Sequence, residues 1–525
     1  MKRVGIIAVD AILLLVLLYC CGIVWMLAAG FLEIILSWNV CFTTAGGIVI
    51  SLLTVVSVIW FYYLWPREKF QLTPGQSLVT ATEQGHKPRS AFFWYCRVLG
   101  VLLFAYLLAW LISAAVFGSL IHRQQRVLET LGVPSDWKEA FPAYDSTGNA
   151  ARYFDAGPDT VNNVQFRPVR EWFSHLTAVP DSIRFLAPKI DNLLAQNKQR
   201  LAAADQGLLC SALVWTDYRS ADIDTFYRIR LPNYMRLQDL TKLYMLAAEA
   251  SAYRKDWNNA QAYCGRACRL ISLQRQDPTL IGKMIAVVET GIVCEGLIAI
   301  AKQDRGEQGS YTFVRRTCEG LPPLAGQVRQ GMIAEFATMT EFFKVLTRKM
   351  SIREMTMAMG YESAGERAAL VALSPIYRIW SGWDLYCGLR TAEYSIAISS
   401  PENNAAAVEK LLQEYERFAK KRLRLPALLT SIATPNFTSM YQRELEARAK
   451  PGAVALLAAT LDYRRSRGKY PDRLEQLVPQ YFRQLPVSPV DGKGYRYVRS
   501  ADTLRIYTPG SSGSHIPKTT FIILK

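Results

Sequence analysis

Hydropathy divides the chain into an apolar first fifth and a long remainder in which apolar positions mostly recur at helical spacing. Three apolar runs come first, at about residues 4–29, 41–65 and 92–120. Each reaches the ~20 residues that a helix needs to cross a hydrocarbon core. They predict a three-helix membrane anchor over 1–121, with water-soluble chain after it. The first run follows Lys2 and Arg3 as a signal peptide would. It exceeds the usual apolar core of about 7–15 residues and shows no small-x-small cleavage site, so an uncleaved span is predicted. Bulky Tyr19 ahead of Cys20 also disfavours a lipoprotein site.

Beyond the anchor, Pro134, Pro142, Pro158, Pro168 and Pro180 break 122–182 into an irregular connecting region, with a short helix starting near Asn149. From 183 to 450 the spacing predicts helical hairpins. In the clearest, Leu240, Leu243, Tyr244, Ala247, Ala248 and Ala252 line one helix. A polar turn, Arg254-Lys255-Asp256, leads to a second helix carrying Trp257, Ala260, Cys264, Ala267 and Leu270. The next helix, 279–302, is almost wholly apolar over 284–300. Glu289 and Glu295 interrupt it and point to a buried central helix instead of a fourth span. Further amphipathic stretches cover 327–348, 365–373 and 405–424. Met332, Met339, Met350, Met355, Met357 and Met359 read as core and turn filler, and Arg417, Lys420, Lys421, Arg422 and Arg424 as a solvated helix end.

The segment 451–525 changes character. A small-residue helix, 453–467, is stopped by Gly468, and a short helix follows Pro471 and Asp472 through Leu474 and Leu477. Pro486 and Pro489 enforce an extended crossing, and Asp491-Gly492 supplies a turn. Tyr495–Tyr497 and Leu504–Tyr507 predict antiparallel strands, with a last strand at 520–524.

Basic residues set the orientation. Lys2 and Arg3 mark a cytoplasmic N-terminus, 33–39 has no Lys or Arg, and the next loop carries Arg67, Lys69, Lys87 and Arg89. Three crossings would deliver everything after about 121 to the periplasmic side of the inner membrane. Trp25, Trp38, Trp60, Trp65 and Trp94 fall near the interfaces. Asp10 and Arg97 lie close enough to the span ends to snorkel into the headgroups. With no other charge in the spans, transport is disfavoured. Seven of the 61 bases and four of the 44 acids precede residue 122, which leaves a net excess of 14 positive charges beyond it. That excess favours anionic lipid or polymer contact. Acids are interleaved and no aromatic-basic motif appears, so no specific nucleic-acid partner is expected.

The cysteines Cys20, Cys21, Cys41 and Cys96 fall in or beside the spans. Cys210, Cys264, Cys268, Cys294, Cys318 and Cys387 follow without a disulfide-framework spacing, and read as buried thiols. Of four histidines, His86, His122, His175 and His515, only the last two are placed to serve a soluble site. No zinc spacing, phosphate loop, dinucleotide fingerprint or nucleophile elbow occurs. No catalytic residue, cofactor ligand or metal ligand is therefore assigned.

Two resemblances add to this reading. Tyr244, Ala247 and Ala248 with Trp257, Ala260, Cys264 and Ala267 stand at the large and small positions of one tetratricopeptide unit, over about 35 residues, with Ser272 where the repeat has proline. The order Tyr463, Gly468-Lys469-Tyr470-Pro471, Leu474, Leu477, Leu485-Pro486, Pro489, Asp491-Gly492, Tyr495-Arg496-Tyr497, Ile506-Tyr507, Gly510 resembles the globular part of the major pseudopilin of type II secretion. The same block ends a group of uncharacterised bacterial multi-span envelope proteins that resemble most of the soluble part. Departures are plain. Over three hundred residues separate the third span from the module, Gly30-Phe31-Leu32-Glu33 places its acid too early for a processing site, and Ser511, Ser512, Gly513 and Ser514 replace the carboxylates of a pseudopilin calcium site.

The resemblances imply a mainly α protein. Its parts are three transmembrane helices, an irregular α-helical hairpin, tetratricopeptide-like domain and a small α+β pilin-like module. Tyr244, Trp257, Cys264, Tyr470, Pro471, Asp491, Gly492 and Tyr507 are the candidate interaction and packing surface. The leading expectation is a membrane-anchored interaction or scaffold protein of the bacterial envelope with protein partners there. An extracytoplasmic enzyme using paired carboxylates on an envelope polymer or glycan, and a component of a secretion- or pilus-like assembly, stay open beside it.

Overall fold

The computed structural model describes residues 9–23, 25, 44–64, 66, 73–74, 76, 90–144, 147–154, 166–226, 229, 231–303, 308–348, 364–403, 405–422, 437–499, 504–508 and 519–524. The expectations at Lys2 and Arg3, 30–39, Trp65, 67–89, 155–161, Met350–Met359, Arg424 and 510–515 lie outside these residues. The fold is mainly α. Its helices, in chain order, are α1 Val9–Ile23, α2 Thr44–Val58, α3 Ser90–Thr130, α4 Ala151–Phe154, α5 Arg167–Ala178, α6 Ile183–Gln196, α7 Lys198–Leu209 and α8 Ile223–Phe226. There follow α9 Tyr234–Tyr253, α10 Trp257–Gln274, α11 Leu280–Gln303, α12 Gln308–Glu319, α13 Gln327–Arg348, α14 Ala364–Ile398, α15 Ala405–Arg422 and α16 Phe437–Arg467. Strands β1 Arg496–Arg499, β2 Leu504–Thr508 and β3 Thr519–Leu524 close the chain.

Among the described residues two helices, not three, are long and apolar enough to cross a membrane: Phe93–Thr130 and Leu280–Gln303. The described part of the first apolar run ends at Ile23 apart from Trp25, and that of the second begins at Thr44. Both form shorter apolar helices, Val9–Ile23 and Ser51–Tyr62. Burial separates the two long ones. Only 11% of the apolar window in the first is buried, against 67% in the second. Helix α11 is thus a core helix, as its two glutamates predict.

The chain forms two compact units. One comprises residues 1–127, 343–391 and 415–434, the other 128–342, 392–414 and 435–525. In the first, Leu17, Cys21, Val58, Tyr62, Tyr95 and Val98 make one apolar cluster. Ile23, Phe117, Trp383 and Cys387 make another, where a Cβ on Gly382 would lie 2.8 Å from Phe117 Cβ. Asp10 does not behave as an end residue reaching for headgroups. Tyr62 and Thr73 donate hydroxyl hydrogens to its carboxylate at 2.5 and 3.0 Å, and internal hydrogen bonding replaces hydration. Outward on α3, Val101, Leu103, Phe104 and Leu111 are exposed.

In the second unit α9 is buried almost all round, because Ala247, Ala248, Ala250 and Ala252 let neighbouring helices approach closely. The turn to α10 places Lys255 at φ 66°, and Asp256 caps α10 by accepting from Asn259 N at 3.1 Å. Helix α11 lies parallel to α9. Tyr234 meets the loop before α11, and Met245 and Glu249 meet Gly296 further along, so contacts advance in the same direction on both. Helix α12 packs chiefly on α16, so the second hairpin is looser than the first. The sequence shows only one repeat unit because α11 is apolar on every face and carries no stripe to read.

Helix α16 starts sixteen residues before the 453 expected from sequence and runs through Pro451. A Cβ on Gly452 would lie 2.6 Å from the Tyr495 hydroxyl, which donates to Ala449 O at 2.7 Å. Gly468, at φ 72°, ends the helix with its N–H on Arg464 O at 2.8 Å. A 3₁₀ turn at Leu474–Leu477 follows, as Pro471 and Asp472 predict. The strands form an antiparallel sheet in order β1-β2-β3. Tyr497 pairs with Ile506, and the register shifts at Ile506/Tyr507.

Candidate functional site

Two cavities in the second unit gather the side chains that recognition needs. The larger, about 670 Å³, is an open groove between α10 and α12. Its apolar lining is Trp257, Cys264, Cys268 and Phe313, with the Trp257 and Phe313 rings 5.8 Å apart. Gly265 and Gly320 keep it open, and Gln261, Thr312 and exposed Arg316 bring polar groups to its edge. Burial pushes the Cys264 thiol well above its usual range and that of Cys268 up to about 11, so both are protonated, unreactive wall groups at neutral pH. Cys20, Cys21, Cys96, Cys210, Cys264, Cys268, Cys294 and Cys318 form no disulfide.

The structure brings Trp257 and Cys264 of the expected surface into this groove. Tyr244 lies behind, fully buried, with its hydroxyl on Asp205 Oδ1 at 3.3 Å. Burial and then the Asp205 charge hold the phenol well above its ordinary pKa. Arg266 also reaches Asp205, at 2.9 Å, so Tyr244 supports α10 from beneath. The other five belong to the C-terminal module. Arg464 stacks on Tyr470 at 4.6 Å, and the Pro471 carbonyl accepts from the Tyr497 hydroxyl at 2.9 Å. Asp491 accepts from Lys493 N at 3.0 Å in the turn where Gly492 adopts φ 69°, and Tyr507 lies on β2. These five pack their own module and do not line the groove.

The smaller cavity, about 450 Å³, sits at the head of α11 and escaped the sequence reading altogether. Asp277, fully buried, accepts from the Tyr234 hydroxyl at 2.7 Å, Thr279 N at 2.9 Å and the Thr279 hydroxyl at 2.8 Å. Burial raises its carboxyl, while these hydrogen bonds pull the other way. Gly282 permits the turn, since a Cβ there would come within 2.2 Å of Asp277 Cγ. One turn into α11, Lys283 donates to Arg275 O and to Gln330 Oε1, the latter at 3.2 Å. Burial lowers its ammonium to about 8, with the Asp277 charge opposing and that of Arg275 assisting. The Asp-Pro-Thr start before an apolar run is the sequence signal for the cap. A lone lysine inside that run marks the cavity. Phe313 and Arg316 carry no comparable signal, because the sequence does not set α12 against α10.

Among the described residues neither cavity is lined by two carboxylates: Glu139 lines the smaller, and no acid lines the larger. Among the described residues no group of three or more His, Cys, Asp or Glu is placed to hold a metal ion. Two further acids, Glu249 and Glu289, are fully buried in α9 and α11 and are not among the lining residues of either cavity, although the charge of Glu249 acts on the Cys264 thiol. No family model, curated protein or solved structure matches the chain.

Proposed function

We propose that the protein is a membrane-anchored interaction protein whose groove between α10 and α12 takes an apolar, acidic peptide segment of an envelope protein partner. The observation that carries this reading is the groove itself. Adjacent helices of the hairpin stack present an aromatic floor, Trp257 and Phe313, beside a rim cation, Arg316. Such a pairing suits an apolar anchor with a carboxylate nearby. The excess of 14 positive charges after residue 121 reinforces the preference for an acidic segment. The apolar, mostly unburied α3 supports anchoring, and the distribution of basic residues supports an outward-facing soluble part. On this reading the C-terminal module, pilin-like in sequence, caps or docks the helical domain.

The test compares binding of the wild-type full-length protein in detergent with two variants, using the partner's interacting segment as a synthetic peptide. Trp257→Ala is expected to weaken binding by ten-fold or more through loss of a buried aromatic anchor, roughly 2 kcal/mol. Arg316→Glu is expected to weaken it several-fold and to remove its salt dependence. Unchanged affinity in both variants, with the fold intact by circular dichroism, would place the interaction elsewhere.

A further inference from the structure

The smaller cavity is lined by a cation, Lys283, that has no direct ion-pair partner among the described residues, the charge of Asp277 acting on it only from a distance. Lys283 is 4% exposed, yet both of its acceptors are neutral, the carbonyl of Arg275 and the side-chain oxygen of Gln330. No carboxylate among the described residues lies within ion-pair distance of it. Asp277, the nearby acid, directs its oxygens at Tyr234 and Thr279. An ammonium has three donors, so one remains beyond the two used. Arg275 adds a second cation close by, with its Nε buried and without an acceptor. A buried cation without a direct ion pair is costly to hold, and an anion entering beside it recovers part of that cost.

The cavity walls define what that anion is attached to. Pro134, Pro142, Pro278 and Ile333 make them apolar and stiff, and Gln276 and Gln330 supply amides. The 3₁₀ turn Trp137–Ala140 also contributes to the lining and carries exposed Glu139. That turn is fixed: Asp136 accepts from Lys138 N at 3.0 Å, and buried Trp137 lies edge-on to Phe141 and Phe226 at 5.8 and 5.3 Å. One cation within and one anion at the edge, about an apolar space of about 450 Å³, suit a small molecule bearing both charges. We propose that this cavity binds a small zwitterionic carboxylate of amino-acid or dipeptide size, its carboxylate on Lys283 and its ammonium on Glu139. This site is separate from the groove between α10 and α12, and neither reading depends on the other.

The test uses the purified full-length protein in detergent and three probes: L-alanyl-L-alanine, its C-terminal amide and its N-acetyl form. Calorimetry is expected to show saturable binding of the free dipeptide and at least ten-fold weaker binding of the amide. Acetylation of Lys283 by an N-hydroxysuccinimide ester, measured by mass spectrometry relative to the exposed lysines of the same sample so that reagent consumed by the dipeptide amine cancels, is expected to slow several-fold when the dipeptide is present. Lys283→Met is expected to abolish binding. Glu139→Gln, a change at an exposed position that leaves the fold intact, is expected to weaken the free dipeptide several-fold and to leave the N-acetyl form unchanged. Absence of saturable binding by the free dipeptide overturns the proposal. So does equal binding of the amide, or binding that survives both substitutions without protection of Lys283.

Discussion

Above about pH 8, replacing Glu289 with glutamine is expected to make the protein more stable than the wild type. Glu289 is fully buried in α11 with both carboxylate oxygens unpartnered, and burial raises its carboxyl from 4.5 to about 8; the Thr241 hydroxyl, which acts the other way, donates to Leu237 O at 3.1 Å. The folded chain therefore keeps a proton that the unfolded chain releases between those values. The stability this confers is complete below pH 4.5 and is lost as pH rises through 8, at about 1.4 kcal/mol per unit. Across the window the loss amounts to roughly 4–5 kcal/mol. Glu249, with both oxygens buried and unpartnered and its carboxyl raised well above 4.5 by burial, contributes with the same sign. Denaturant unfolding of wild type and Glu289→Gln from pH 5 to 9 reads the difference directly. The difference should grow steadily in favour of the variant as pH rises; parallel profiles would show that Glu289 ionises in the folded state as it does in the unfolded one.

Arg170→Met is expected to cost about 3 kcal/mol, enough to unfold a large share of a marginally stable domain. Asp239 on α9 is fully buried, and Arg170 on α5 reaches it through Nε at 2.8 Å and Nη2 at 2.5 Å. Lys242 stands at 3.5 Å but bonds less directly. Removing the arginine leaves a carboxylate that has no access to water and only Lys242, at 3.5 Å, to offset its charge. The loss comes from that stranded charge more than from the worth of the pair, because Arg170 is itself 47% exposed and partly screened. The double variant Arg170→Met/Asp239→Leu should therefore recover most of the stability. A double variant as unstable as the single one would assign the loss to packing against the arginine stem.

Both results depend on features that hydropathy foretold only in outline. The interruption of an apolar run by Glu289 and Glu295 was enough to make α11 a core helix, and the hairpin at 237–271 and the strands around Tyr497 and Ile506 were legible from spacing and turn residues. Helix α16 was not. Pro451 reads as a boundary, yet the helix continues past it, and Gly452 takes the Tyr495 ring where a side chain would collide. Asp10 was read by its position near a span end, whereas its state is set by Tyr62 and Thr73, 52 and 63 residues away. The candidate sites divide in the same way. Trp257 and Cys264 share a helix face and were visible together. Phe313 and Arg316 reach them from a helix whose register depends on α16, and Lys283 and Glu139 line one cavity from positions more than a hundred residues apart. Long-range packing of this kind leaves no local pattern.

The proposed seating of a partner segment in the groove between α10 and α12, on the outer side of the membrane, is open to trapping in cells. It is tested by placing a photo-crosslinking amino acid at Gln261, on the groove, and separately at Arg184, an exposed position of helix α6, and irradiating living cells. The account predicts one discrete adduct from position 261 and none from 184. Sequencing should identify an apolar, acidic segment of an envelope protein, which as a peptide binds the wild type and not Trp257→Ala. No adduct from position 261, or the same adducts from both positions, would contradict it.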